Sequence, residues 1–290
     1  MIEKLFKPKP RKYLFNEMDT DAISLNSYIF CVGMGRSGTH FMAELLGFSN
    51  DVASYHLDEI GNPVGDSYYQ YAKWYGINVD PTPMFTPRIH LGNQAMVQKK
   101  VYCEANPYLS LHVPELLNKF KSQVIVLFRD PKKVVESHYN KGWYHHYNPQ
   151  FDSSKYEVPG FEYSLEKAHY FFGRFFPKDP QGFEVWSKYT TVGKIAWMWS
   201  TIYTELLKVL KNNDNCKLVE IQKFNYTSYS QLTSYLAVDK ISEKGFLKIL
   251  NNKPGKGTYT KRPEWNKKEQ EEFNILTNQV YTDLLNQSWI

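Results

Sequence analysis

Gly33, Gly35, Arg36, Ser37, Gly38 and Thr39 directly follow the apolar run Tyr28–Val32. Three glycines in six positions give the backbone turns closed to other residues, so successive N–H groups can line one concavity. A helix expected from Ser37 to Leu46 turns its positive end toward any anion held there. Arg36 adds a full charge and a forked donor matched to a pair of phosphate oxygens. The nucleotide-binding form of such a loop is G-x-x-x-x-G-K-[ST]. This chain has no lysine after Gly38; its basic residue comes two positions earlier. Alone, the loop reads as an anion site or as a glycine-rich turn without a ligand.

A second stretch adds to it. Residues 124–139 read Val-Ile-Val-Leu-Phe-Arg-Asp-Pro-Lys-Lys-Val-Val-Glu-Ser-His-Tyr. The first five suit a strand buried on both faces. Pro131 suits the first turn of a helix, with Val134, Val135 and His138 on one face. Arg129 then stands at the carboxyl end of a strand, and Ser137 stands eight positions later in the helix.

In these two stretches the chain resembles the sulfotransferases that use 3′-phosphoadenosine 5′-phosphosulfate (PAPS). The resemblance implies that the Gly33–Thr39 loop binds the 5′-phosphosulfate and that Arg129 and Ser137 bind the 3′-phosphate. It implies in-line attack of an acceptor hydroxyl or amine on sulfur. Arg36 would neutralise charge on the bridging oxygen, and Gly35, Ser37, Gly38, Thr39 and His40 would contact the 5′-phosphate. His40 departs from the small hydroxyl residue often found there. The general base would be His56, at the end of the strand after the loop helix, or Glu104, in Tyr102-Cys-Glu-Ala-Asn-Pro-Tyr108. Against these stand a capping or core histidine and a strand-end ion-pair partner. Lys256, Gly257 and Arg262, in the basic loop Lys253–Arg262, would close over the 3′-phosphate; a solvated loop is the other reading.

The residues separate this chemistry from phosphoryl transfer. A P-loop kinase holds Mg²⁺ with a hydroxyl and a strand-end Asp, whereas this strand ends in Arg129 with Asp130 beyond it. No metal is expected. A P-loop-type kinase and a non-catalytic nucleotide- or glycan-binding relative are the alternatives. The acceptor stays open among sugar, lipid, peptide and small phenol or alcohol. Tyr68, Tyr69, Trp74 and the run Trp143–Tyr147 offer flat faces to a ring, or else pack in the core or a lid.

Composition sets the outer bounds. The 290 residues can bury a large core. A net charge of +5 suits a polyanionic ligand but is too weak to argue nucleic acid. No run reaches the ~20 apolar residues of a membrane span, and no signal-peptide core is present. The three cysteines, Cys31, Cys103 and Cys216, lack metal or redox spacing. They read as buried thiols in a reducing, cytoplasmic setting.

The elements that must position these residues alternate between strand and helix. Strands are expected at 28–32, 51–56, 97–104, 124–128 and 217–221. Helices are expected at 68–75, 107–120, from 131, at 186–210, 226–236 and 267–285. Residues 81–87 read as a proline-rich loop and 141–164 as a long irregular insertion or lid. This pattern gives an α/β fold, a parallel central sheet flanked by helices on both faces; the resemblance makes it the P-loop-NTPase-like sulfotransferase fold. No linker divides the chain, so residues 1–290 are expected to form one domain. Gly33, Glu104 and Arg129 all fall at carboxyl ends of strands, where such sheets bind ligands.

Overall fold

The computed structural model describes residues 28–57, 60, 63–145, 173–252 and 264–290. The loop with Lys256, Gly257 and Arg262, most of the expected insertion, and His146 and Tyr147 lie outside the described residues.

Five parallel strands form one sheet in the order β2-β3-β1-β4-β5. They are β1 (Tyr28–Val32), β2 (Val52–His56), β3 (Val101–Ala105), β4 (Gln123–Phe128) and β5 (Cys216–Glu220). β1 and β4 lie inside the sheet and are buried along their whole length. That is why both read as unbroken apolar runs rather than as alternating ones. β2 is an edge strand and only half-buried.

Successive side chains of each strand feed opposite layers. Ile29, Cys31, Ile125 and Leu127 pack against α1 (Thr39–Gly47) through Met42, Leu45 and Leu46. The same layer takes in α8 (Tyr226–Leu236) and α9 (Glu243–Asn252). Tyr28, Phe30, Val124, Val126 and Phe128 face the other layer. That layer holds α2 (Pro63–Tyr75), α3 (Thr82–Val97), α4 (Val113–Phe120) and α5 (Pro131–Asn140). It also holds α6 (Pro180–Ser187), α7 (Thr191–Leu210) and α10 (Lys267–Gln287). Cys31, Cys103 and Cys216 are buried free thiols.

Three expectations are corrected. Residues 81–87 are not a loop: Pro81 caps α3, Pro83 lies in its first turn and Pro87 lies inside it. A buried face of Met84, Phe85, Arg88, Leu91 and Ala95 outweighs the backbone bond that Pro87 cannot make. α3 also takes Val97, where the sequence predicts a strand; Lys99 at φ 57° ends the turn, and β3 starts at Val101. The single helix 186–210 is two helices. Thr190 leaves helical geometry and its side chain caps α7 by accepting from the Gly193 N–H at 3.1 Å. α9 had no counterpart in the reading of the sequence. α3 also approaches the sheet closely at Gly92, where a β-carbon would collide with the Tyr28 ring.

Candidate functional site

The site lies beyond the carboxyl ends of β1, β3 and β4. From Val32 the chain enters the loop with Gly33 at φ 142°, Arg36 at φ 72° and Gly38 at φ 101° before α1 begins at Thr39. A β-carbon on Gly33 would run into the Leu127 carbonyl, and one on Gly38 would lie 2.9 Å from Ile221. Glycine is therefore required at both positions by space as well as by dihedral angle. Arg36 holds a left-handed conformation that costs a side-chain-bearing residue of order 1–3 kcal/mol.

The loop has a built floor. Ser110, in the 3₁₀ turn Pro107–His112, accepts from the Gly33 N–H at 3.0 Å. Tyr203 of α7 accepts from the Met34 N–H at 3.3 Å and lies 2.7 Å from the Ser37 hydroxyl. Ser37 is fully buried, turned into that floor. Thr39 is buried at the first turn of α1, Gly35 and Gly38 are partly open, and His40 is exposed.

The two stretches singled out in the sequence meet here. Arg36 Nε donates to Ser137 Oγ at 2.9 Å, across 101 positions of sequence. Arg129, half-buried at the end of β4, has its pKa lowered by burial and then by the charge of Arg36. Two guanidinium groups thus crowd one mouth, an arrangement that an anion between them relieves. α5 presents Ser137 because Asp130 caps it, accepting from the Lys132 N–H at 2.8 Å, with Pro131 in the first turn.

Beneath the loop, His138 Nδ1 lies 2.9 Å from the Val134 carbonyl, so Nδ1 carries the hydrogen. Burial pushes its pKa down to about 3; Lys141, Arg36 and Arg174 act in the same direction, and the Val134 bond opposes them. Above pH ~6.5 folded and unfolded chains both hold this ring neutral. As pH falls, the unfolded chain takes up a proton that the folded one refuses. Stability is then lost at about 1.4 kcal/mol per pH unit until the folded pKa is reached. Urea unfolding at pH 7 and pH 5 should show the wild type losing about 2 kcal/mol more than His138→Gln.

The two base candidates stand in different surroundings. His56, half-buried at the end of β2, has Nε2 3.5 Å from the Thr39 hydroxyl and its ring stacked on His40 at 4.8 Å. Glu104 has no exposure. Its Oε1 accepts from Arg88 at 2.7 Å and from Asn106 at 2.9 Å, and its Oε2 accepts from Tyr102 at 2.9 Å. Arg88 and Asn106 each also donate to Asp66 at 2.8 Å. Burial raises the Glu104 pKa although Arg88 opposes it. Glu104 thus takes the ion-pair place weighed for it in the sequence. Among the aromatic candidates, Trp143 and Tyr144 are buried, and Tyr144 Oη donates to the Phe175 carbonyl at 2.7 Å. Trp74 stacks on Phe175 at 4.9 Å with Lys178 over its ring at 4.1 Å. Trp143 and Tyr144 pack the core, whereas Trp74 is half-buried and lines a cavity with Lys178, Trp186 and Trp197.

The reading of the sequence missed Ser110, Tyr203, Arg88 and Asp66. Tyr203 follows Trp199 by four positions in an apolar helical stripe, which signals core and hides the hydroxyl. Asp66 and Arg88 carried no local signal.

A glycine-rich loop between the first strand and helix of a parallel 2-3-1-4-5 sheet defines a P-loop-like α/β protein. Comparison with known proteins narrows the class. The family model described as "Sulfotransferase domain" matches residues 26–239, and the chain belongs to that family. Among solved structures, the sulfotransferase STF9 from Mycobacterium avium superposes with a TM-score of 0.52 at 11% identity, covering 92% of this chain and 77% of that one. At that identity the likeness shows the fold. No curated protein matches the sequence.

Proposed function

We propose that the protein transfers the sulfuryl group of PAPS to a hydroxyl or amine acceptor by in-line displacement, without a metal. The observation that carries this reading is the Arg36–Ser137 contact beside Arg129. It brings the loop read as the 5′-phosphosulfate site and the corner read as the 3′-phosphate site into one mouth. PAPS carries anionic groups on the 3′ and 5′ positions of one ribose, and in this reading each set of donors takes one of them. A sulfuryl group carries less charge than a phosphoryl group, so guanidinium groups suffice where a kinase uses Mg²⁺.

In this reading Arg36 stabilises charge growing on the bridging oxygen. Gly35, Gly38, Thr39 and His40 line the 5′ end, with Ser37 bracing the loop from below. Arg129 and Ser137 hold the 3′-phosphate, with Lys256, Gly257 and Arg262 closing over it. His56 is the preferred base, because its ring is half-open beside Thr39 whereas Glu104 is fully buried in the Arg88 cluster. His56→Asn should lower kcat about 10²–10⁴-fold with little change in donor KM. An equal loss in Glu104→Gln alone would move the role to Glu104. The acceptor is a small molecule or a carbohydrate, and nucleic acid is not a partner. Residues 1–290 are read as one domain in a cytoplasmic setting; no described helix is long and apolar enough to cross a membrane.

Calorimetry with 3′-phosphoadenosine 5′-phosphate (PAP) tests the donor. Heat with PAP in the absence of Mg²⁺ is expected; no heat with PAP but heat with Mg·ATP would instead favour a kinase. Arg129→Ala and Ser137→Ala should each weaken PAP by about 1.5–3 kcal/mol, the range for hydrogen bonds to charged groups. Unchanged affinity in both would mean that the 3′-phosphate lies elsewhere. A ³⁵S-labelled donor offered to cell extracts would identify the acceptor. PAP binding with no transfer to any acceptor would favour the non-catalytic relative.

A further inference from the structure

We infer that Tyr203 is a strut that fixes the separation of the two anion corners, a positioning residue for the donor; this rests on the donor reading above. Tyr203 is fully buried on α7, and its hydroxyl has three partners. It donates to the Leu127 carbonyl at 2.7 Å, accepts from the Met34 N–H at 3.3 Å and lies 2.7 Å from Ser37 Oγ. A phenol has one hydrogen and two lone pairs. Leu127 can only accept and Met34 N–H can only donate, so the phenol hydrogen goes to Leu127 and Ser37 must donate. Every bonding position of the oxygen is used, and the Ser37 hydrogen points inward, away from any ligand. Burial raises the phenol pKa, so the hydrogen stays in place at neutral pH.

The three partners belong to both corners. Met34 and Ser37 flank Gly35 and Arg36 in the loop. Leu127 lies two residues before Arg129. The β1–β4 ladder is paired as far as Val32 opposite Val126. Past that pair, the Tyr203 oxygen ties the loop to the strand, while the Arg36–Ser137 contact ties the loop to α5. Gly33 permits this approach, since a β-carbon there would collide with the Leu127 carbonyl and lie 3.3 Å from the Tyr203 hydroxyl.

A ligand gripped at two points gains from both only when their spacing matches its own. Loss of the strut should therefore penalise a two-phosphate ligand more than a one-phosphate ligand. A strut that served packing alone would not discriminate between them. Phenylalanine retains the ring beside Trp199, at 4.9 Å between centroids, and removes only the hydroxyl.

The test is Tyr203→Phe in the full chain, read in two ways. Hydrogen exchange without ligand should show the Met34 amide exchanging at least about tenfold faster while β1 and β4 amides keep their protection, the loss of one buried bond. Calorimetry with PAP and with adenosine 5′-monophosphate should show the preference for PAP falling about tenfold. Unchanged Met34 exchange, protection lost evenly across the sheet, or an unchanged preference each overturns the strut. If the wild type binds no PAP, the donor reading fails, and Met34 exchange alone decides whether Tyr203 holds the loop. Should Tyr203→Phe not fold, Ser37→Ala removes one of the three bonds and should move both readouts the same way, by less.

Discussion

Arg36→Ala is expected to lower kcat about 10²–10³-fold, equivalent to about 3–4 kcal/mol of barrier, while PAP binding changes much less. The guanidinium sits on the loop that would hold the 5′ end, and its Nε is fixed by Ser137. A preorganised donor acts most strongly where charge grows during transfer, so its loss should appear in kcat before KM. Folding should survive, because alanine removes no buried apolar group and Arg36 is itself strained at φ 72°. Arg36→Lys keeps the charge but loses the fork, so intermediate activity is expected. Single-turnover transfer rates with saturating donor are the measurement. A variant within threefold of wild type would remove Arg36 from the chemistry.

Arg88→Met is expected to have the largest effect on stability. Arg88 is 1% exposed and pairs with Glu104 at 2.7 Å and Asp66 at 2.8 Å. Burial works against its charge, yet the two carboxylates more than offset that and raise its pKa. Removing the cation leaves two acids facing each other without a counterion. Breaking such a buried pair costs about 3–5 kcal/mol. The midpoint of thermal unfolding should fall by about 10 °C. Adding Asp66→Asn and Glu104→Gln should recover part of the loss, because the cost comes from unpaired charge rather than from a missing contact. A single variant as stable as the wild type would show that the cluster carries no net energy. The cluster ties α2 and α3 to the end of β3, so its loss should also loosen that side of the site.

How far the sequence reveals this molecule follows from the range of each interaction. The loop was legible because its constraints are local: glycines at 33, 35 and 38, an apolar run before them and a helix behind. The strand end before Arg129 and the helix carrying Ser137 were legible for the same reason, with Asp130 and Pro131 marking the start of α5. The Arg88 cluster was not, because its partners stand 16 and 22 positions away and meet only after α2 and α3 pack. Tyr203 reaches Leu127, Ser37 and Met34 across 76, 166 and 169 positions. In α3, proline content outweighed a helical apolar face. Before α7, an unbroken apolar rhythm hid the cap at Thr190.

The most direct measurement is a crystal structure with PAP bound. The account predicts the 5′-phosphate within the Gly33–Thr39 loop and the 3′-phosphate against Arg129 and Ser137, with the Arg36–Ser137 bond released or shared. Nucleotide density anywhere else, or both phosphates on the same corner, would contradict it.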